Sequence, residues 1–263
     1  MNVNKIRIDK LICGNEQTEA QAALADMLRE ENLGVSYADM MRYRVGNYAA
    51  KLCLDTYYVA HGEGKAYSRL WNGWGRHAGA IGNFGNFVTL EELRGQGLGH
   101  RMLEVWHSDL SSRADLPLCF LCMGEKRAAK LYFPYGFRTI EKNAAWGPLY
   151  MPLGDSPEDF REFCEGYYQP SDTLIRRKAT VEWRHEIDCL LKYSLWSIGM
   201  DHMINGKIME QALLYSPDAA ELLFTEDGKC VGWMLDGEVM VHPIYQKSEI
   251  VSPQGKNKKN DTF

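Results

Sequence analysis

Asn83-Phe-Gly-Asn-Phe-Val-Thr-Leu-Glu-Glu-Leu-Arg-Gly-Gln-Gly-Leu-Gly-His100 reads as three pieces in a row. Phe84, Phe87, Val88 and Leu90, with Thr89, make a β-rich run. Three glycines in five residues, Gly95, Gly97 and Gly99, then break it, and Leu98, Met102 and Trp106 at i, i+4, i+8 start an amphipathic helix. A strand, glycine turn and helix in this order present several unpaired backbone N–H groups and the positive end of a helix dipole at one point, which suits a phosphate. A Walker A loop is excluded by spacing and by the missing lysine. A dinucleotide fingerprint starting at Gly95 is excluded because its third glycine would be His100. What remains is Arg94-x-x-Gly97-x-Gly99, which is either an anion cradle or a plain strand-to-helix connection.

Further on, Leu118-Cys-Phe-Leu-Cys-Met123 reads as a buried strand, and Ala128, Leu131, Tyr132 and Tyr135 fall on one helical face that Gly136-Phe137 ends. Arg94-Gly-Gln-Gly-Leu-Gly99 and Ala128-Ala-Lys-Leu-Tyr-Phe-Pro-Tyr-Gly-Phe137 together resemble the two signatures of the GNAT superfamily of acyl-CoA N-acyltransferases, over about residues 3 to 153. The resemblance implies an α/β fold with a mixed sheet and acetyl-CoA as acyl donor. Its diphosphate would lie on the bend from Arg94 through Gly95, Gln96, Gly97, Leu98 and Gly99 to His100. The pantetheine arm would run beside Phe87, Val88 and Thr89.

Composition is compatible with that expectation. A chain of 263 residues, 45% hydrophobic and 25% charged, can bury a large core in one or two domains. The net charge of -5 disfavours nucleic acid as a partner. No apolar run is long enough to span a membrane, and Met1 to Gly14 alternates polar and apolar residues, so the expected location is the cytoplasm. The seven scattered cysteines read as buried thiols. Cys119 and Cys122, three apart in a strand, point to opposite faces and cannot chelate one ion, so no metal is expected.

In chain order, the pattern predicts a strand over Asn4 to Ile12, helices over about Glu16 to Glu31 and Ser36 to Lys51, and strands over Leu52 to His61 and Lys65 to Trp74. Trp71-Asn-Gly-Trp-Gly-Arg-His-Ala-Gly79 reads as a hairpin tip or as the wall of a substrate pocket, with Trp71 and Trp74 as candidate substrate contacts and His77 in the turn.

Acyl transfer needs a neutral amine, a polarised carbonyl and a proton for the leaving thiolate. Tyr132 matches the family's usual general acid, and an ordinary tyrosine, with a pKa of about 10, is protonated at neutral pH. Two residues depart from the pattern: Pro134 should end the helix early and could swing Tyr132, and Glu125 stands where Asn is frequent. The fourth strand carries no carboxylate. It offers Asn83, Asn86 and Thr89, so His77 or Glu92 acting through water are the candidate bases.

Past Gly147, Trp146 to Leu153 reads as a last strand, and a helix capped by Ser156 with Pro157 at its first position is expected to connect to a second unit. There a strand (Thr173 to Ala179), a helix (Glu182 to Leu195), a hairpin turning at Asp227-Gly228 and a strand (Glu238 to Pro243) resemble the first half of a GNAT domain without its glycines. The expected division is 1–153, a GNAT-like domain; 154–172, a connector; 173–247, a degenerate half domain that completes a cleft or covers the first sheet; and 248–263, a flexible tail. The expected partner is a small-molecule amine, with no nucleic acid or membrane and a homodimer left open. The alternative to an N-acetyltransferase is a non-catalytic acyl-CoA-binding or sensing protein.

Overall fold

The computed structural model describes residues 3–12, 18–30, 51–200, 209, 212–213 and 216–252, so the helix expected over Ser36 to Lys51 falls almost wholly outside the described residues. Within them the first unit runs β1 (Arg7–Ile12), α1 (Glu19–Glu30), β2 (Cys53–Gly62), β3 (Lys65–Gly75), β4 (Gly82–Thr89), α2 (Leu98–Ser111), β5 (Cys119–Gly124), α3 (Lys126–Tyr132), β6 (Arg138–Thr139) and β7 (Gly147–Pro152). These strands form one mixed seven-stranded sheet, β1-β2-β3-β4-β5-β7-β6. Strand β6 is too short to show a sequence pattern, and none was expected there.

The pairing of β4 sets the geometry of everything near it. Strands β4 and β5 are parallel and pair through Gly82 with Phe120 and Asn83 with Leu121, after which the pairing stops. On its other edge β4 carries a bulge. Arg69 pairs with Val88 and Trp71 with Gly85, which leaves Asn86 and Phe87 opposite Leu70 alone, and Asn86 takes a left-handed φ of 48°. An extra residue bends a strand and re-aims its side chains. Phe84 and Phe87, three apart, would face opposite ways in a regular strand, yet both meet Tyr132 on the α2/α3 side.

The second unit contains α4 (Phe160–Tyr167), β8 (Thr173–Lys178), α5 (Lys192–Ser197), β9 (Ala220–Phe224), β10 (Cys230–Leu235), β11 (Glu238–Val241) and β12 (Glu249–Val251), with sheet order β11-β10-β9-β8-β12. Strands β8 to β11 are antiparallel in sequence order, with helical segments between β8 and β9, as α1 lies between β1 and β2. Three details differ from the sequence expectation. The helix expected over Glu182 to Leu195 is a 3-10 turn (Val181–Trp183), a π-helical run (Glu186–Leu191) and then α5. The cap of α4 is Asp159, whose carboxylate accepts from the Arg161 and Glu162 amides, whereas the Ser156 hydroxyl donates to the Leu118 carbonyl. Glu249–Val251, inside the segment expected as a loose tail, pairs in parallel with β8 because its amides find the open edge of that strand.

The sheet of the first unit is covered on both faces. One carries Phe84, Trp106, Phe120, Tyr132 and Phe137 beneath α2 and α3. On the other, α1 packs on Tyr57, Val59 and Trp71, and the second unit packs on Ile81, Cys119, Leu121 and Tyr150 through Phe160, Phe163, Leu190 and Tyr193. Each aromatic side chain buried there contributes roughly 1.5–3 kcal/mol. No helix of the described residues is long and apolar enough to cross a membrane.

Candidate active site

The bend before α2 keeps its backbone donors bare. Gly95 and Gly97 have φ of 75° and 82°, and Gly97 caps α2 without any side-chain capping bond. The first amide after the bend to bond back is Arg101 N–H, to the Gly97 carbonyl, while the amides from Gly95 to Gly99 donate to nothing among the described residues. The Arg94 Nε donates to the Thr89 carbonyl at 3.0 Å and the Gln96 amide to the Glu92 carbonyl at 2.8 Å, so both side chains fold back on the bend instead of covering its amides. No atom lies within 4 Å of where a Cβ on Gly95 or Gly97 would stand. Together, an uncapped helix N-terminus, consecutive free amides and open space fit an anionic diphosphate.

This bend leads out of the part of β4 that has left β5. From Phe84 to Thr89, β3 is the one strand bonded to β4 among the described residues, so its other edge offers backbone groups to an extended ligand. Phe87 links strand and bend, with its Cζ 3.5 Å from where a Gly99 Cβ would sit. Tyr132 lies beside it, stacked on Phe87 at 6.2 Å between ring centroids and edge-on to Phe84 at 5.1 Å. Helix α3 ends at Tyr132 and continues as a 3-10 turn, Phe133–Tyr135, because Pro134 lacks the N–H needed to extend it. The Tyr132 ring is held between Phe84, Phe87 and Phe137. Burial pushes its phenol upward, so the proton stays on at neutral pH, and the hydroxyl has no hydrogen-bond partner among the described residues. Glu125 is the exposed residue preceding α3.

Phe87, Val88, Thr89, the bend through His100, and Tyr132 are therefore drawn together. The remaining candidates are elsewhere. Glu92 is exposed, 4.0 Å from Lys65. His77 stacks on Trp183 at 3.7 Å and bonds through Nε2 to Glu186 at 2.9 Å, so it is a seam residue between the units and not a free loop histidine. Trp71 and Trp74 share no wall. Trp74 packs edge-on against Phe120 beneath Arg113, while Trp71, on the α1 face, donates to Asp55. The glycines between them have a packing reason: a Cβ on Gly73 would overlap Asp55, and one on Gly75 would overlap the Glu182 carbonyl of the second unit.

Sequence reasoning missed the acids of the π-helical run. Glu186, 1% exposed, accepts from the Ile81 amide and faces His77, and Asp188 accepts from Asn83 Nδ2 at 2.8 Å. The available signal was the placement of two carboxylates at the head of the otherwise apolar run Glu186-Ile-Asp-Cys-Leu-Leu191. Cys53, Asp55 and His185 bring donor atoms within 4.8 Å of one another. Asp55 is committed to the buried Arg184 guanidinium and the Trp71 indole, and the Cys53 thiol, pushed up to about 12 by burial, donates to the Val181 carbonyl. With a cation already on the carboxylate, this group reads as a polar seam.

No family model matches the chain, and no curated protein matches it. Among solved structures it is similar to an acyl-CoA N-acyltransferase from Pseudomonas aeruginosa, with 17% identity over 57% of this chain and 100% of that one and a TM-score of 0.41. It is also similar to a GNAT family acetyltransferase from Brucella melitensis in complex with acetyl-CoA, with 16% identity over 57% of this chain and 88% of that one and a TM-score of 0.39. The GNAT family N-acetyltransferase from Escherichia coli in complex with CoA is 14% identical over 57% of this chain and 83% of that one, with a TM-score of 0.39. The fold itself is α/β, with a mixed seven-stranded sheet.

Proposed function

We propose that this protein transfers an acetyl group from acetyl-CoA to the primary amine of a small molecule, with Tyr132 as the general acid. The observation that carries the reading is the run of bare amides from Gly95 to Gly99, continuous with the open edge of β4 and adjoining a protonated tyrosine. In this reading the diphosphate binds the bend, the pantetheine arm lies along Phe87 to Thr89, and a β4 amide polarises the thioester carbonyl. The Tyr132 hydroxyl gives its proton to the departing sulfur.

The displaced positions of His77 and Glu92 leave β4 without a base of its own and favour, as second reading, a non-catalytic acyl-CoA-binding protein. Calorimetry with CoA combined with thiol release from acetyl-CoA over a panel of primary amines separates the two. Binding with turnover that Tyr132→Phe suppresses supports the transferase; binding without turnover on any amine supports the sensor; absence of binding refutes both.

A further inference from the structure

The second unit presses two carboxylates against the beginning of β4, and they do different work. Glu186 is clamped: one oxygen takes both the Ile81 amide and His77 Nε2, each at 2.9 Å, and the side chain is closed off from solvent. That clamp fixes the π-helical run against the strand and carries Asp188 to Asn83, the last β4 residue still paired to β5. Asp188 is only partly buried, and the oxygen not bonded to Asn83 has no hydrogen-bond partner among the described residues.

This carboxylate lies opposite the proposed acid. Tyr132 meets β4 at Phe84 from the α2/α3 side, and Asp188 meets it at the adjacent Asn83 from the other face. The two contacts fall on neighbouring residues of β4, at the point where the strand parts from β5. The titratable groups near Asp188 include Tyr193, with Lys192 over its ring, Cys189, Cys122, and Glu186 with its His77.

We propose that Asp188 is the general base that deprotonates the acceptor ammonium, with Asn83 as its positioning residue, so that the second unit completes the acceptor side of the site. An asparagine holds a carboxylate in place but cannot take an ammonium proton, which is why the strand needs this acid from outside. The inference rests on the acyl-transfer reading. One ammonium proton passes to the Asp188 carboxylate and on to water, and the freed nitrogen lone pair forms the C–N bond to the thioester carbon. A second N–H proton leaves the tetrahedral adduct to water as the C–S bond breaks. The thiolate takes the Tyr132 proton, which solvent replaces, so the sum is ammonium plus thioester giving amide, thiol and one proton. The acceptor class follows: an amine that arrives protonated at neutral pH.

The test follows thiol release from acetyl-CoA with primary amines from pH 6 to 10, beside CoA calorimetry and thermal midpoints, for wild type, Asp188→Asn, Asp188→Glu and Asn83→Ala. Asp188→Asn is expected to lower kcat/KM about 100-fold near pH 7, with a deficit that shrinks toward pH 10 as the amine arrives neutral. CoA affinity should be unchanged, Asp188→Glu should restore part of the rate, and Asn83→Ala should lower kcat more than it alters KM. An Asp188→Asn profile that matches wild type, or lies below it by the same factor at every pH, overturns the base while leaving transfer intact. Loss of CoA binding in Asp188→Asn makes the residue a structural prop and also overturns the base. A wild-type chain that binds CoA but turns over no amine overturns both transfer and base. Should Asp188→Asn not fold, the profiles of Asp188→Glu and Asn83→Ala decide in the same way.

Discussion

Replacing Gly97 by alanine separates a backbone that must bend from a backbone that must bind. Gly97 has φ of 82°, and a Cβ there would meet nothing within 4 Å. The folded chain therefore bears only the left-handed strain, about 1–2 kcal/mol. That corresponds to a fall in thermal midpoint of roughly 2–8 °C. The added methyl would stand where diphosphate oxygens approach the amides. Displacing one charge-assisted hydrogen bond removes about 1.5–3 kcal/mol, or roughly 10- to 150-fold in CoA affinity. Gly99→Ala is the control. Gly99 lies within α2 with no positive φ, and its Cβ would touch Phe87 at 3.5 Å, an ordinary contact. Helix propensity alone should raise its stability by about 0.5–1 kcal/mol, with CoA affinity near wild type. Calorimetry with CoA and thermal melts of the three proteins give both numbers. A Gly97→Ala protein that loses stability but keeps wild-type affinity refutes the cradle.

Tyr132→Phe deletes a buried hydroxyl with no partner among the described residues, so stability should change by less than about 1 kcal/mol while thiol release falls about 100-fold; equal loss of fold and rate, seen by melts and kinetics, would make it a packing residue. Arg184→Met strands the Asp55 carboxylate, both being 1% exposed, and should cost about 3–5 kcal/mol in urea unfolding, with Asp55→Leu/Arg184→Met costing less than the single change; a single loss below about 1 kcal/mol would count against a buried ion pair. His242 stacks on Tyr168 at 4.0 Å, and burial lowers its pKa from 6.5 to about 4. Because the unfolded chain takes up this proton first, stability is full above pH 6.5 and falls as pH drops toward 4. Discounted for its partial exposure, the loss from pH 7 to 5 is about 1 kcal/mol. His242→Phe should flatten that part of the denaturant-midpoint profile, and an unchanged slope would refute the assignment.

Local signals were strong enough to be read in one dimension. Strand periodicity around Phe84 to Thr89, glycines at positions that take positive φ, and the helical spacing of Leu98, Met102 and Trp106 are each set within a few residues, so the bend and its bare amides were legible from the chain alone. Pro134 likewise announced the end of α3. What only the tertiary structure decided were the contacts between residues far apart in the chain. The bulge at Asn86 turns Phe84 and Phe87 to one face, the seam with the second unit explains Gly73, Gly75 and His77, and Asp188 reaches Asn83 across more than a hundred intervening positions. A carboxylate in an apolar helical run has no partner in its own neighbourhood, and the one that reaches β4 comes from the π-helical run of the second unit, so composition and periodicity carried no trace of where it would point.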